Sequence, residues 1–189
     1  MSVSPMSAAD FDRTLALARG GDSRAFGRLF DWLQRPVHTF ARARHATDPE
    51  GTVNDVFLQV FTHLGDFDGN DVQFRAWVFR ITRNRLTDEY RLRARRPDEV
   101  AAEAPAYAAT ASDDVEAAAI SSLDDAWLQQ QLDLLTPDQR DVVLLRVVAD
   151  LSLADVAELV GKPVGAVKAL QSRAFRTIAR NNSSSAVSP

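Results

Sequence analysis

The chain has 189 residues, with 22 Lys plus Arg against 26 Asp plus Glu, a net charge of −4 and no cysteine. Its 46% apolar and 25% charged residues are ordinary globular material, long enough for one domain or two small ones, and the acidic total taken alone argues against a nucleic-acid binder. The absence of Cys excludes disulfide stapling, thiolate zinc sites and a cysteine nucleophile, and His38, His45 and His63 stand in neither a metal motif nor a triad-like context, so no metal, cofactor or catalytic role is expected.

In chain order, Asp22 or Ser23 caps a stripe of Ala25, Phe26, Leu29, Phe30 and Leu33, whose three- and four-residue spacing predicts an amphipathic helix. Pro36 leaves a bend and a break both open before the pattern resumes at Val37, Phe40 and Ala41. Val53, Val56, Phe57, Val60, Phe61 and Leu64 predict a cleaner helix of about fifteen residues ending near Gly65. A polar loop is expected over 66–73, then a third long helix from Phe74 through Trp77, Val78, Ile81 and Leu86 to about Arg93, stopped by Pro97.

Net charge splits by segment: −3 over 1–74, +6 over 75–96, −10 over 97–141 and +3 over 142–180. Two basic segments thus flank an acidic middle, and each retains a local field for phosphates. Residues 101–119 contain 10 alanines, and Tyr107 is their only aromatic. Such a stretch has too few large apolar groups to offset the entropy of ordering it, so 97–120 reads as a flexible acidic linker between domains at 8–96 and 121–181, with 182–189 as a disordered tail. The expected fold class is all-α, the C-terminal domain containing a helix-turn-helix.

The eight arginines of 75–96 spread around their helix and grow denser toward its end. They fit a phosphate-facing surface, and they fit equally a solvated helix end whose cations favour the dipole. Phe67 fits either a lid on its own domain's core or an exposed ring that stacks on unpaired bases. Trp77, on the Phe74 and Val78 face, reads as core, and Asn84 faces either solvent or a base edge.

The second domain carries a sharper pattern. Thr136-Pro137 with Gln139 is a capping-box helix start, Ser152 caps a short helix, Ala157 is small where two helices approach, Gly161 permits a turn, and Val167 and Leu170 bury a following helix. Residues 164–179 are then the candidate recognition helix, its N-terminal part placed to enter a major groove, the alternative being a helical hairpin used for protein contact. Lys168 suits a phosphate or guanine, Gln171 suits adenine, and the amides around Val164–Ala166 suit a phosphate.

Three blocks, PEGTVNDVFLQVF at 49–61, FRAWVFRITRNRLTDEYRLRARR at 74–96 and LTPDQRDVVLLRVVADLSLADVAELVGKPVGAVKALQSRAF at 135–175, make the chain resemble an extracytoplasmic-function sigma factor, an initiation factor of bacterial RNA polymerase. The resemblance spans about 21–96 and 123–180. It implies that the first domain binds the polymerase clamp coiled coil through Glu50, Asn54, Asp55 and Gln59. It also implies a surface that melts the minus-10 element, made by Phe67, Asp68, Asn70, Gln73, Arg75, Arg80, Arg83, Asn84 and Asp88. The second domain would sit on the polymerase flap and read the duplex minus-35 element with Val164, Gly165, Lys168, Gln171, Ser172, Arg173 and Arg176. Core polymerase and promoter DNA are the implied partners, an anti-sigma factor is a further candidate, and neither enzymatic activity nor membrane insertion is expected.

The chain departs from the family's usual pattern in two places. Pro49, Glu50 and Gly51 precede Asn54-Asp55 where Ala-Glu-Asp before Gln-Glu is common, and Ala166-Val167-Lys168-Ala169 replaces Thr-Val-Lys-Ser, removing two hydroxyls. Two other binding readings fit the residues less fully: a dimeric repressor on palindromic sites, and a protein that only sequesters other factors. No apolar run approaches a membrane span and no secretory leader is evident, so the expected compartment is the cytoplasm.

Overall fold

A computed structural model describes residues 6–95 and 127–185, all of whose regular structure is helical. The expected linker lies outside these residues. In the first domain α1 spans Ala8–Arg19, α2 Ser23–Ala43, α3 Pro49–His63 and α4 Asp71–Ala94. In the second, residues 127–133 form α5, followed by α6 (Pro137–Val147), α7 (Leu153–Val160) and α8 (Val164–Ser185).

Six of the eight described helices start where a short polar side chain can take an otherwise orphaned amide. Ser7, Asp22, Asp48, Asn70, Thr136 and Ser152 all accept a hydrogen bond from a first-turn N–H. The first-domain core is aromatic: Phe11, Phe40, Phe74 and Phe79 are fully buried, with Leu29, Leu33, Val37, Val56, Val60 and Val78 between them. Burial of each such side chain is worth about 1.5–3 kcal/mol, which carries helices of individually marginal stability.

Three elements differ from the sequence expectation. Helix α1 was not anticipated; its buried face consists of Phe11, Thr14, Leu15 and Ala18, too few large apolar groups to mark a stripe. Helix α4 begins at Asp71 rather than Phe74, because Asn70 and Gln73 close a reciprocal capping box that recruits three residues of the expected loop. Helix α8 continues to Ser185, past the expected start of the tail at 182, and the Asn181 amide donates to Gln131 Oε1 at 3.1 Å to tie this end to α5. At Pro36 α2 is unbroken, which resolves the choice the sequence left open.

The two domains pack directly. Helix α4 lies against α7, and polar groups cross from the end of α2 and from α4 to α6 and the 148–151 turn. Among the described residues no helix is long and apolar enough to cross a membrane.

Candidate nucleic-acid interface

The helix-turn-helix is built from α7 and α8. Gly161, in the left-handed region at φ +68°, closes α7, and its N–H bonds back to Glu158 O. Lys162 Nζ reaches Asp138 Oδ2 at 3.0 Å, anchoring the turn to α6. Val167 and Ala174 are fully buried and Leu170 and Ile178 pack on the same core, so the rotation of α8 about its axis is fixed. The opposite face is therefore presented to solvent. Val164, Gly165, Lys168, Ser172, Arg173 and Arg176 are exposed and Gln171 is half-buried.

Lys168, Gln171, Ser172 and Arg176 line a shallow depression together with Phe175 and Ala179. Phe175, 45% exposed, was missed by sequence reasoning. Its position seven residues after Lys168 and four after Gln171 was the available signal, since that spacing places it on the same stripe.

The minus-10 candidates divide into three groups. Phe67 is half-buried, stacked on Trp77 with centroids 5.0 Å apart and set edge-on against Phe74 at 5.3 Å, so in this state it is a lid on its own core. Trp77 is likewise packed but only partly buried, which leaves the pair as a small aromatic platform at the loop. Asn70 and Gln73 spend their side chains on the α4 cap. Gly69, at φ +156°, has no room for a side chain, because a Cβ there would lie 2.8 Å from Gln73 Oε1 and 3.0 Å from Phe67 Cζ. Asp68, Asn84 and Asp88 are exposed, and Asp88 pairs with Arg91 at 3.3 Å.

The third group is basic, and it faces the second domain. Arg75 donates to Asp150 Oδ2 at 2.8 Å and to the Asp150 carbonyl at 3.2 Å, with its guanidinium 6.0 Å from the Trp32 ring centre. Arg80 pairs with Glu158 at 3.0 Å, and Arg83 Nε with Asp141 Oδ2 at 3.1 Å. Asp141, whose side chain is 5% exposed, also takes Arg44 on its other oxygen. In the reverse direction Arg140 donates to Ala43 O at 3.3 Å, where the last carbonyls of α2 lack helical partners. Burial pushes the Arg140 guanidinium below its ordinary pKa while Asp133 opposes that shift, and arginine stays protonated in either case.

The polymerase candidates fall on two flanks of α3. Glu50 and Asn54 border a cleft shared with Phe30, Gln34, Arg35 and His38, and His38 Nε2 lies 3.1 Å from Glu50 Oε1. Asp55 faces α4 instead and receives both Arg85 Nε and an outer guanidinium nitrogen at 3.0 and 2.9 Å. Gln59 is exposed. Leu58, 65% exposed, was missed, and Phe61, read from the sequence as part of the apolar stripe, is instead 60% exposed; they continue the Glu50–Asn54 side of the helix at four- and seven-residue steps from Asn54, with Phe61 edge-on to Phe26.

Residues 29–96 match the family Sigma-70 region 2, and residues 125–178 match Sigma-70, region 4. The chain is 33% identical over 181 residues to the RNA polymerase sigma factor CnrH of Cupriavidus metallidurans, covering 89% of this chain and 93% of that protein. The chain belongs to the extracytoplasmic-function sigma factors. It is also 33% identical over 165 residues to the ECF RNA polymerase sigma factor BldN of Streptomyces coelicolor; that match covers 86% of this chain and 62% of BldN.

The structure of CnrH in complex with the cytosolic domain of CnrY superposes with a TM-score of 0.66 at 26% identity, covering 92% of this sigma factor and 97% of that chain. The region 2 match contains α3 and α4, and the region 4 match contains α6, α7 and α8 as far as Ile178. Both candidate DNA surfaces therefore lie within the family's own domains. Proteins of this family serve transcription initiation rather than covalent catalysis.

Proposed function

We propose that this sigma factor binds core RNA polymerase, positions it on promoters through a minus-35 and a minus-10 element, and promotes opening of the DNA. The observation that carries this reading is the orientation of α8. Its apolar side is consumed by Val167 and Ala174, so the side bearing Lys168, Gln171, Ser172 and Arg176 is offered outward from a helix-turn-helix. Lys168 and Arg176 supply phosphate or guanine contacts and Gln171 a paired donor and acceptor for adenine.

The first domain has the complementary task. Phe67 and Trp77 offer aromatic faces to an unpaired base, Asn84 offers an amide to its edge, and Arg75, Arg80 and Arg83 offer charge to the strand backbone. Glu50 and Asn54, extended by Leu58 and Phe61, form the polymerase-binding side of α3, with a polar end for orientation and an apolar end for affinity. Asp55 contributes by holding Arg85 and α4 rather than by direct contact. The work is done in the cytoplasm, where core polymerase holds the two domains at a fixed separation. Duplex binding by the second domain then raises the effective concentration of the first over its element. CnrH is solved with the cytosolic domain of CnrY, and an anti-sigma protein is the regulator we assign to this chain by that likeness.

Run-off transcription with purified core polymerase over fragmented genomic DNA tests the reading. Transcripts starting downstream of two unlike elements about one and a half to two helical turns apart are expected. Absence of any transcript dependent on this chain would overturn it.

A further inference from the structure

The end of α4 is held by a polar seam rather than by the core. Leu86 is the last buried side chain of the helix, and about two further turns follow to Ala94. Arg85, Glu89 and Arg93 recur at four-residue steps, so they share one face of this segment. That face is fastened to α3 and to the loop between α2 and α3. Arg85 meets Asp55 of α3, its Nε and Nη2 lying 3.0 and 2.9 Å from one carboxylate oxygen. Glu89 Oε1 accepts the Thr47 backbone N–H at 2.9 Å and Arg93 Nη2 at 2.9 Å, and the same nitrogen donates to the His45 carbonyl at 3.1 Å.

We propose that Glu89 is a positioning residue for minus-10 recognition, acting with Arg93 to fix the rotation of the last turns of α4 and so the aim of Asp88. Asp88 precedes Glu89 by one residue and therefore stands about 100° round the axis from the seam, on the exposed side. A carboxylate there suits the exocyclic amino group of a base. Beyond Leu86 no buried apolar side chain of the helix sets its direction, and the seam does. On the sigma-factor reading above, Glu89 then decides a base preference without touching DNA.

The seam differs from a surface ion pair. The Glu89 side chain is 15% exposed against 70% for Asp88, so its hydrogen bonds are sheltered from solvent and salt. Arg93 Nε is buried without a hydrogen-bond partner among the described residues, a desolvation cost that a loosely attached arginine does not carry. His45 stands at φ +58°, uncommon outside glycine, and with Thr47 it gives the loop a carbonyl and an amide bonded to α4. An i,i+4 pair of Glu89 and Arg93 alone would stabilise the helix in any orientation, whereas the bonds to Thr47 and His45 hold it in one. Thr47 is followed by Asp48, the cap of α3, so the polymerase-side helix and the end of α4 share an anchor.

Promoter competition by holoenzyme tests this, with single-base variants of the minus-10 element of a promoter found by run-off transcription. Glu89→Ala should lose about tenfold in discrimination at the position that Asp88→Ala also relaxes, with affinity for core polymerase and minus-35 selectivity unchanged. Glu89→Gln, which keeps an oxygen for the Thr47 N–H, should retain most of the discrimination. Because Glu89 acts through Asp88, the double variant Asp88→Ala/Glu89→Ala should be no more relaxed than Asp88→Ala alone. Full discrimination in Glu89→Ala, equal loss in Glu89→Gln or additive loss in the double variant would overturn the proposal. So would weakened core binding by Glu89→Ala, the mark of a merely structural role, or an Asp88→Ala variant that reads every base as the native chain does. Each of these results leaves the sigma-factor reading standing, whereas failure of the native chain to support transcription would count against that reading instead.

Discussion

The chain has two cationic helices proposed to meet nucleic acid, and they stand in opposite states. The outward face of α8 is open to solvent, while Arg75, Arg80 and Arg83 of α4 are paired with carboxylates of the other domain. Both segments read as basic from the sequence. The difference arises from what each helix packs against: α8 turns its apolar side to its own domain, whereas α4 buries one side in its own core and lays another against α6, α7 and the turn between them. A surface that reads duplex DNA can stay permanently presented, because the duplex is available before opening begins. A surface proposed to capture unpaired bases is needed only after the strands part, and the arginines proposed for it are the ones engaged by the other domain.

The largest way to separate the two surfaces is through the core of one domain. Phe74 is fully buried at the centre of the first domain, with Phe11, Phe67 and Trp77 around it, so Phe74→Ala should destabilise that domain by about 3–5 kcal/mol. Chemical denaturation should show a first-domain transition at lower denaturant, and the platform under Phe67 should be lost. If the α8 surface belongs to an independently packed domain, its hydrogen-exchange protection at Val167 and Ala174 should persist.

The fold was more legible than the site. Capping residues and apolar stripes mark α2, α3, α6 and α7 because each of these signals is local and each is satisfied locally. Helix α1 escaped because its buried face has few large apolar groups, and the start of α4 escaped because Asn70 and Gln73 read as loop until their reciprocal hydrogen bonds are seen. Charge was the least legible property. The −10 segment ends in Asp133, Asp138 and Asp141, which fall in the expected second domain but whose charge the segment total merges with that of the linker. In the fold Asp141 belongs to α6 and meets Arg44 and Arg83, 97 and 58 residues distant. No sequence pattern announces a pair at that separation, whereas the exposed stripe containing Phe175 could have been drawn from helical spacing alone.

Effects of intermediate size should discriminate between the two helices by function. Lys168→Ala and Gln171→Ala should each reduce preference for the cognate upstream element by about 1–3 kcal/mol per lost base contact, read as a shift in promoter competition by holoenzyme with little change in strand opening. Phe67→Ala and Asn84→Ala should do the reverse, with upstream selectivity retained and permanganate reactivity of the opened region reduced. For Phe67 the loss expected from a single stacked base is again about 1–3 kcal/mol. Unchanged promoter use after both pairs would remove these residue assignments.

The smallest effect is the most informative about how the two surfaces are coupled. Glu158 lies on α7, outside the recognition helix, and meets only Arg80 among the α4 arginines through a bridge whose two side chains are both more than half exposed. Glu158→Gln should therefore change thermal stability by less than about 1 kcal/mol at physiological salt, and the change should vanish as ionic strength rises. The same substitution leaves α8 intact, so minus-35 selectivity in holoenzyme should not move. A stability loss of several kcal/mol would mean that the exposed pair, rather than the buried Asp141 cluster, carries the domain contact, and the ranking of the interdomain ion pairs argued from their burial would have to be inverted.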